Sequence, residues 1–348
     1  MATAIAEIAL KSDTSLASHD VIQIAGINTH VYGVDQAVKQ AAANPQTSHW
    51  IVLHLAHPRT RSYTYTERMA HLVLDSYYKA SDSADGTPLP PLLAVTFDLR
   101  NHGERKVSEK ANEDWARGNL MHAQDMFSGI IGTAQDVELV IDMLPAYLDP
   151  LILLRGKSAE GVTAPTKVVN VVSGVSQGGH ISWQVAATGK AVAVVPIIGS
   201  PYLTFMLLQR LLVQVRKLES TEADAVLNAV GVPLYELSYA DLQAKVFKGK
   251  SDHLEQYWPE ALHKLVAAAD NRVFTGISQH KVSVRIINSR EDPLVPARFS
   301  LPWLKQQGVL TEEDTSPLLF QQDNVGHVCT PVMVDELSEH LVRVVRSM

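Results

Sequence analysis

The chain has one cysteine, Cys329, so no disulfide can close within it and a stapled secreted scaffold is excluded. Cys329 stands in an apolar stretch, Val325 to Val332, with no cysteine-protease signature around it, and reads as a small buried residue rather than a nucleophile. Long apolar runs are missing too. Met1 to Leu16 has neither the basic start nor the apolar core of a secretory signal, so the expectation is a cytoplasmic protein without a membrane partner. Positive charge is in deficit, with 30 Lys and Arg against 37 Asp and Glu for a net charge of −7. Without a basic stripe or a nucleic-acid-reading motif, DNA and RNA are not expected as partners. No H-E-x-x-H and no cysteine cluster occurs, which argues against a metal site. There is no internal repeat and no low-complexity tract, and nothing in the chain reads for or against a homo-oligomer.

What is present is an alternation of apolar runs and helical periodicity over 348 residues, enough for one large α/β domain with an insertion. Residues 1 to about 19 read as a polar arm. Residues 21–24 and 29–32 alternate around Gly26-Ile27-Asn28 as a hairpin. Strands are expected at 50–56, 92–97, 168–172 and 191–198, with helices over 65–78, 121–144 and 181–187 between them. Residues 81–91 and 155–166 read as surface connections. That order predicts a mostly parallel twisted sheet with helices on both faces. From 201 to about 280 only helical patterns occur, at 203–218, 222–230, 239–246 and 253–269. Strands return at 282–287 and 318–320, and a helix over 331–345 ends the chain. The expected organisation is a core of residues 1–200 and 281–348 with a helical cap insertion at 201–280 over the C-terminal edge of the sheet, where ligands bind in such folds.

The densest signal is Gly174-Val175-Ser176-Gln177-Gly178, which follows the apolar run Val168 to Val172 and precedes a helix. A serine on so tight a strand-to-helix turn needs small neighbours two positions either side, and its Oγ is pushed out beside a helix N-terminus. A coincidental turn is the alternative, since glycine and serine are common. A serine hydroxyl needs a base, and the base an orienting acid. Asp292 stands just past the strand 284–287, in Glu291-Asp292-Pro293-Leu294-Val295-Pro296. It could be only a turn residue, and Glu291 could serve instead, but Glu291 points to the opposite side of an extended segment. The preceding strand ends Gly199-Ser200-Pro201, with no carboxylate. Among fourteen histidines only His327 combines a preceding glycine, a loop and a place before the last helix. The order Ser176, Asp292, His327 is that of one hydrolase constellation. The oxyanion of a tetrahedral intermediate needs two donors. The N–H of Gln177 is one. The second is expected from the loop after His57; Pro58 has no N–H, so Arg59 is favoured over Ala56 and His57.

These residues together resemble the α/β-hydrolase-fold serine hydrolases. The carriers are Asp98 to Arg105, similar to the family's D-x-R-x-H-G segment, the Ser176 elbow, the Asp292-Pro293-x-Val295-Pro296 loop and Gly326-His327. The likeness spans roughly Val21 to Val345 apart from the insert. Gly103-Glu104-Arg105 and the insert are also similar to esterases of the dienelactone-hydrolase and prolyl-oligopeptidase-like branch. The resemblance implies no metal and no organic cofactor. One departure is His57-Pro58, where many members have His-Gly. Asp98 and His102 read as structural supports, His180 as packing under the elbow, and Asp125 and Asp136 as capping or pairing on the surface of the long helix, where Gly129 and Gly132 permit close packing.

The expected reaction is hydrolysis of a carboxylic ester, thioester or lactone of a small to medium apolar molecule through an acyl-enzyme. Tyr202, Phe205 and Met206, with Leu208 and Tyr235, are the candidate pocket residues from the insert; simple packing is the competing reading for each. An acyltransferase or a peptidase would use the same serine, and a non-catalytic binding protein on this fold would normally lack a member of the triad.

Overall fold

In the computed structural model, residues 6–47, 49–82, 88–249, 251–313 and 315–348 are described. The chain opens with a hairpin, β1 (His19–Ile24) and β2 (Ile27–Tyr32), paired antiparallel. Its turn is tighter than the sequence suggests: only Ala25 and Gly26 lie between the strands, both at positive φ, as a two-residue loop matched to strand twist requires. Then come α1 (Val34–Ala43), β3 (His49–Ala56), α2 (Tyr63–Ser81) and β4 (Leu92–Thr96). The long α3 (His122–Met143) and α4 (Pro145–Leu153) lead to β5 (Lys167–Val175), α5 (Gln177–Ala186) and β6 (Ala193–Ile197). The expected connection over 81–91 falls partly outside the described residues.

Five helices follow: α6 (Leu203–Arg216), α7 (Ser220–Asn228), α8 (Tyr239–Asp241), which runs on into a π-helical turn, α9 (Ser251–Tyr257) and α10 (Glu260–His280). The chain closes with β7 (Ser283–Val284), β8 (Ile286–Ser289), α11 (Leu301–Gln306), β9 (Leu319–Gln322) and α12 (Pro331–Arg346). The strand order is β1-β2-β4-β3-β5-β6-β8-β9, with β7 also paired to β6. Among the described residues only β1–β2 and β2–β4 are antiparallel. This is the α/β-hydrolase fold: a mostly parallel sheet with helices on both sides.

Strand alternation divides the core. Along β3, Trp50, Val52 and Ala56 face α1, α3 and α5, while Ile51, Leu53 and Leu55 face α2 and α12. The chain steps from β3 to β4 on one side, then returns to β5 on the other. Loops after β3 and β5 therefore diverge to opposite faces and leave a crevice at the strand C-termini.

Several elements differ from the sequence reading. The N-terminal arm from residue 6 on is tied down, residues 1–5 lying outside the described residues: Ile8 is buried, its carbonyl accepts from the Arg68 side chain, and Lys11 pairs with Asp335. The helix expected over 253–269 is two helices broken at Trp258-Pro259, because proline cannot continue a helix but can open one, and the second runs on to His280. That second helix, α10, packs along α5 and is the crossover between β6 and β7. α1, α4 and α11 carried no clear period: α1 is short and alanine-rich, α4 is a short, mostly apolar run with Pro150 inside, and α11 spans only Leu301–Gln306.

Candidate active site

β5 delivers Ser176 to the crevice. Its backbone sits at φ 55°, ψ −109°, a left-handed conformation that a non-glycine residue holds only when its surroundings enforce it. They do: Ser176 N donates to Ile197 O at 2.9 Å, and His180 N donates to Ser176 O at 3.0 Å. The turn also brings α5 against β3. A Cβ on Gly178 would lie 2.0 Å from Ala56 O, so only glycine fits there. The strained serine and its small neighbour have one cause, the closeness of helix and sheet.

Asp292 and His327 reach the same point from the other half of the sheet. Asp292, three residues past β8, is held by Leu294 N and Val295 N, which donate to Oδ1 at 2.8 and 2.9 Å. Its Oδ2 lies 2.7 Å from His327 Nδ1, and His327 Nε2 lies 2.9 Å from Ser176 Oγ. A carboxylate accepts only, so Nδ1 carries the proton and Nε2 is left to accept from the serine hydroxyl. The Asp292 side chain has 0% exposure and that of His327 10%. Burial alone would raise the Asp292 pKa, but the hydrogen bond and charge of His327, with the two backbone donors, hold it below the ordinary value. Glu291 is turned away, with its Oε2 3.4 Å from Val325 N, and Asp323 pairs with Arg290.

The loop after β3 is pinned through His57. Its Nδ1 donates to Pro58 O at 2.8 Å and its Nε2 accepts from Leu99 N at 3.0 Å. Burial pushes this imidazole down to about 3, so it is a neutral strut. Gln177 opens α5, where helix N–H groups have no partner within the helix. Among the described residues neither its N–H nor that of Arg59 has an acceptor. Arg59 and Gln177 line one pocket of about 230 Å³, with Arg100, His102, Asp125 and Met126 among its other walls.

The segment after β4 supports this pocket. Asp98 accepts from Tyr63 N at 2.8 Å and Glu104 N at 2.7 Å, joining the start of α2 to the 103–105 turn. Asp136 departs from the sequence reading. It is buried on α3, not on the surface, and takes a two-pronged bond from Arg100 (3.0 and 2.8 Å) and a third from Arg105 (2.8 Å). Arg100 crosses α3 at Gly132, where a Cβ would meet its Nη1 at 2.5 Å. Asp125 accepts from the Asn119 side chain at 2.9 Å. His180 lies beneath the elbow and accepts from Ser200 N at 2.9 Å, with burial lowering it to about 3. Cys329 is buried, and burial pushes its thiol up to about 12, which leaves it unreactive.

The pocket candidates from the insert lie within its own packing. Tyr202 meets Phe205, Tyr235 and Phe274 ring to ring at 5.6, 5.7 and 5.4 Å, and its hydroxyl accepts from Leu234 N. Phe205 meets Phe299 at 5.4 Å; Met206 and Leu208 are fully buried. Tyr235 also borders a hollow of about 500 Å³ beside α10, whose walls include neither Ser176 nor His327. A residue the sequence reading passed over is Arg210 on α6. It follows Leu203, Met206 and Leu207 on the buried stripe of that helix, and that spacing is the signal that would have found it. No group of three or more His, Cys, Asp and Glu among the described residues could hold a metal ion, and no helix among them is long and apolar enough to cross a membrane.

No family model matches the sequence, and no curated protein matches it. Solved structures are similar in fold. TT1662 from Thermus thermophilus is 14% identical, covering 94% of this chain and 98% of that one, with a TM-score of 0.48. Est1E from Butyrivibrio proteoclasticus is also 14% identical, covers 94% and 96%, and has a TM-score of 0.43. The Pyrococcus furiosus esterase Pf2001 is 12% identical, covers 95% and 94%, and has a TM-score of 0.42. Likenesses this distant carry nothing about substrate or mechanism; the fold follows from the strand order of this chain itself.

Proposed function

We propose that the protein is a serine hydrolase that cleaves a carboxylic ester, thioester or lactone through an acyl-enzyme on Ser176. The observation that carries this reading is the unbroken chain Ser176 Oγ, His327 Nε2, His327 Nδ1, Asp292 Oδ2, at 2.9 and 2.7 Å. His327 takes the serine proton as Oγ attacks the carbonyl carbon. It later gives that proton to the departing alcohol, then takes one from the water that releases the acid. Asp292 fixes the tautomer and stabilises the imidazolium. The N–H groups of Gln177 and Arg59, without acceptors among the described residues, are the donors to the oxyanion. The strained serine adds preorganisation. Tyr202, Phe205 and Met206 shape the roof of the site from behind, by packing.

The test is labelling with a fluorophosphonate beside hydrolysis of p-nitrophenyl esters of graded length. Ser176→Ala abolishes labelling and lowers ester turnover by about 10⁵- to 10⁶-fold. Labelling that survives this change would place the nucleophile elsewhere.

A further inference from the structure

Two guanidinium groups stand beside the elbow with no carboxylate to pair with. Arg210 reaches down from α6, donates through Nη2 to Leu294 O at 3.0 Å, and lays Nη1 3.6 Å from the Met126 sulfur. Arg59 donates through Nη1 to Asn112 O at 3.1 Å. Among the described residues no carboxylate oxygen lies within ion-pair distance of either. The nearby acids are engaged elsewhere: Glu113 with Arg117, Asp114 with Arg117 N, Asp125 with Asn119 and Asp292 with His327. Other arginines of this face are neutralised, as Arg100 and Arg105 are by Asp136.

Burial lowers the pKa of both guanidinium groups, and the charge of Arg59 lowers that of Arg210 further, to about 10. Both remain charged at neutral pH. Two like charges brought together out of water are costly unless an anion joins them. Arg59 and Met126 are walls of the pocket that also holds Gln177, and Arg210 touches Met126. Arg59 therefore walls a pocket that abuts Gln177, the residue after the nucleophile, and Arg210 stands behind Met126 of that pocket, although Ser176 and His327 are not among its walls. At about 230 Å³ that space suits a short chain rather than a large apolar group.

From this geometry we infer that the substrate is an anionic ester, with a carboxylate at the far end of a short acyl chain held by Arg210 and Arg59. This rests on the ester-hydrolase reading and narrows its substrate class. A planar guanidinium matches a carboxylate two bonds at a time, and the backbone carbonyls that now occupy one donor of each arginine leave the rest of the fork available.

The experiment compares mono-p-nitrophenyl glutarate with p-nitrophenyl hexanoate, similar in length but neutral, on the full chain, with fluorophosphonate labelling run in parallel. The wild type favours the glutarate ester in kcat/KM by about 10- to 100-fold, the range expected of hydrogen bonds to a charged group. Arg210→Gln, which keeps a donor for Leu294 O, lowers the glutarate-to-hexanoate ratio by a similar factor. Arg210→Lys keeps part of it, and added salt erodes it. An acyl chain ending in phosphate in place of the carboxylate is the second arm; if it is preferred over glutarate, the carboxylate assignment is overturned. Equal cleavage of the two esters by a labelled wild-type enzyme overturns the anion site and leaves the hydrolase standing. Absence of labelling with neither ester cleaved overturns both. An unchanged ratio in a folded Arg210→Gln protein, verified by circular dichroism, also overturns the role of Arg210.

Discussion

The strand ends and the helical insert bury charge in opposite ways. At the strand ends, Ser176, His327 and Asp292 satisfy one another, and Ser176 and Asp292 are also anchored by backbone bonds. In the insert, Asp224 has a side-chain partner in Arg298, but two other buried charged groups lean on main chain. Asp270 of α10 is fully buried, and its oxygens accept from Leu203 N and Thr204 N at 2.9 and 2.7 Å, capping the start of α6. Arg210 leans on a carbonyl. A side-chain network fixes protonation states, because each member defines its neighbour's. A charge held only by backbone dipoles stays responsive to pH or to an arriving ion.

The sharpest way to break this contrast is at the acid. Asp292→Asn keeps the size and both backbone bonds but supplies an amide that favours the wrong imidazole tautomer. Turnover of a p-nitrophenyl ester falls by about 10⁴-fold while the far-ultraviolet circular dichroism is unchanged. Near-normal turnover in the folded variant would remove Asp292 from the mechanism.

The contrast also explains what could be read from sequence. The Ser176 elbow was legible because its strain is local: the serine and the glycines that permit it lie within five residues. Asp292 and His327 were legible because parallel strands place their C-terminal loops along one edge, whatever the details of packing. Asp136 was misread because its partners Arg100 and Arg105 are more than thirty residues away, and helical periodicity puts it only on a face, without saying that a loop covers that face. Arg210 had a readable position on the α6 stripe, but nothing in the helix tells which loop it meets. In the same way Tyr202, Phe205 and Met206 could be read as apolar, yet aromatic packing within the insert and a lining for substrate have the same composition. Local constraints leave sequence signatures; contacts between distant segments leave only surfaces.

The next prediction concerns the insert. Burial pushes the Asp270 pKa up to about 7, against the bonds from Thr204 and Leu203 that favour the charged form. The protonated folded state is then favoured, and the stability Asp270 contributes is full below its unfolded value of 3.8. It is lost as pH rises through 7, by about 4 kcal/mol in all. The melting temperature of the wild type therefore falls between pH 4 and 7 relative to that of Asp270→Asn, which cannot ionise. Thermal melts of both proteins across that interval measure the difference. Parallel curves would mean that the backbone donors offset burial and that the insert has no such sensitivity.

At the strand-end side, Asp136→Asn removes the charge that joins Arg100 and Arg105. The pair is part-exposed, since Arg100 has 45% of its side chain in solvent, so the cost lies between those of a buried and a surface bridge, about 2 kcal/mol. Urea unfolding should show a lower midpoint with an unchanged slope. The ester kinetics should then shift mainly in KM, because the 98–105 segment walls the pocket without touching the serine.

The smallest expected effect sets the limit of the comparison. Glu291 precedes Asp292 in the chain and carries the same chemistry, but extended backbone sends neighbouring side chains to opposite sides. Asp292 faces His327, whereas the Glu291 carboxylate is exposed and makes only a long 3.4 Å contact with Val325 N. Glu291→Gln keeps that acceptor, so stability should change by less than about 0.5 kcal/mol and turnover by less than about threefold. Measured beside Asp292→Asn on one ester, this variant separates orientation from composition: two adjacent acids with effects about three orders of magnitude apart. A large loss at Glu291 instead would mean that the loop carrying His327 depends on that single long contact to hold the imidazole over the serine.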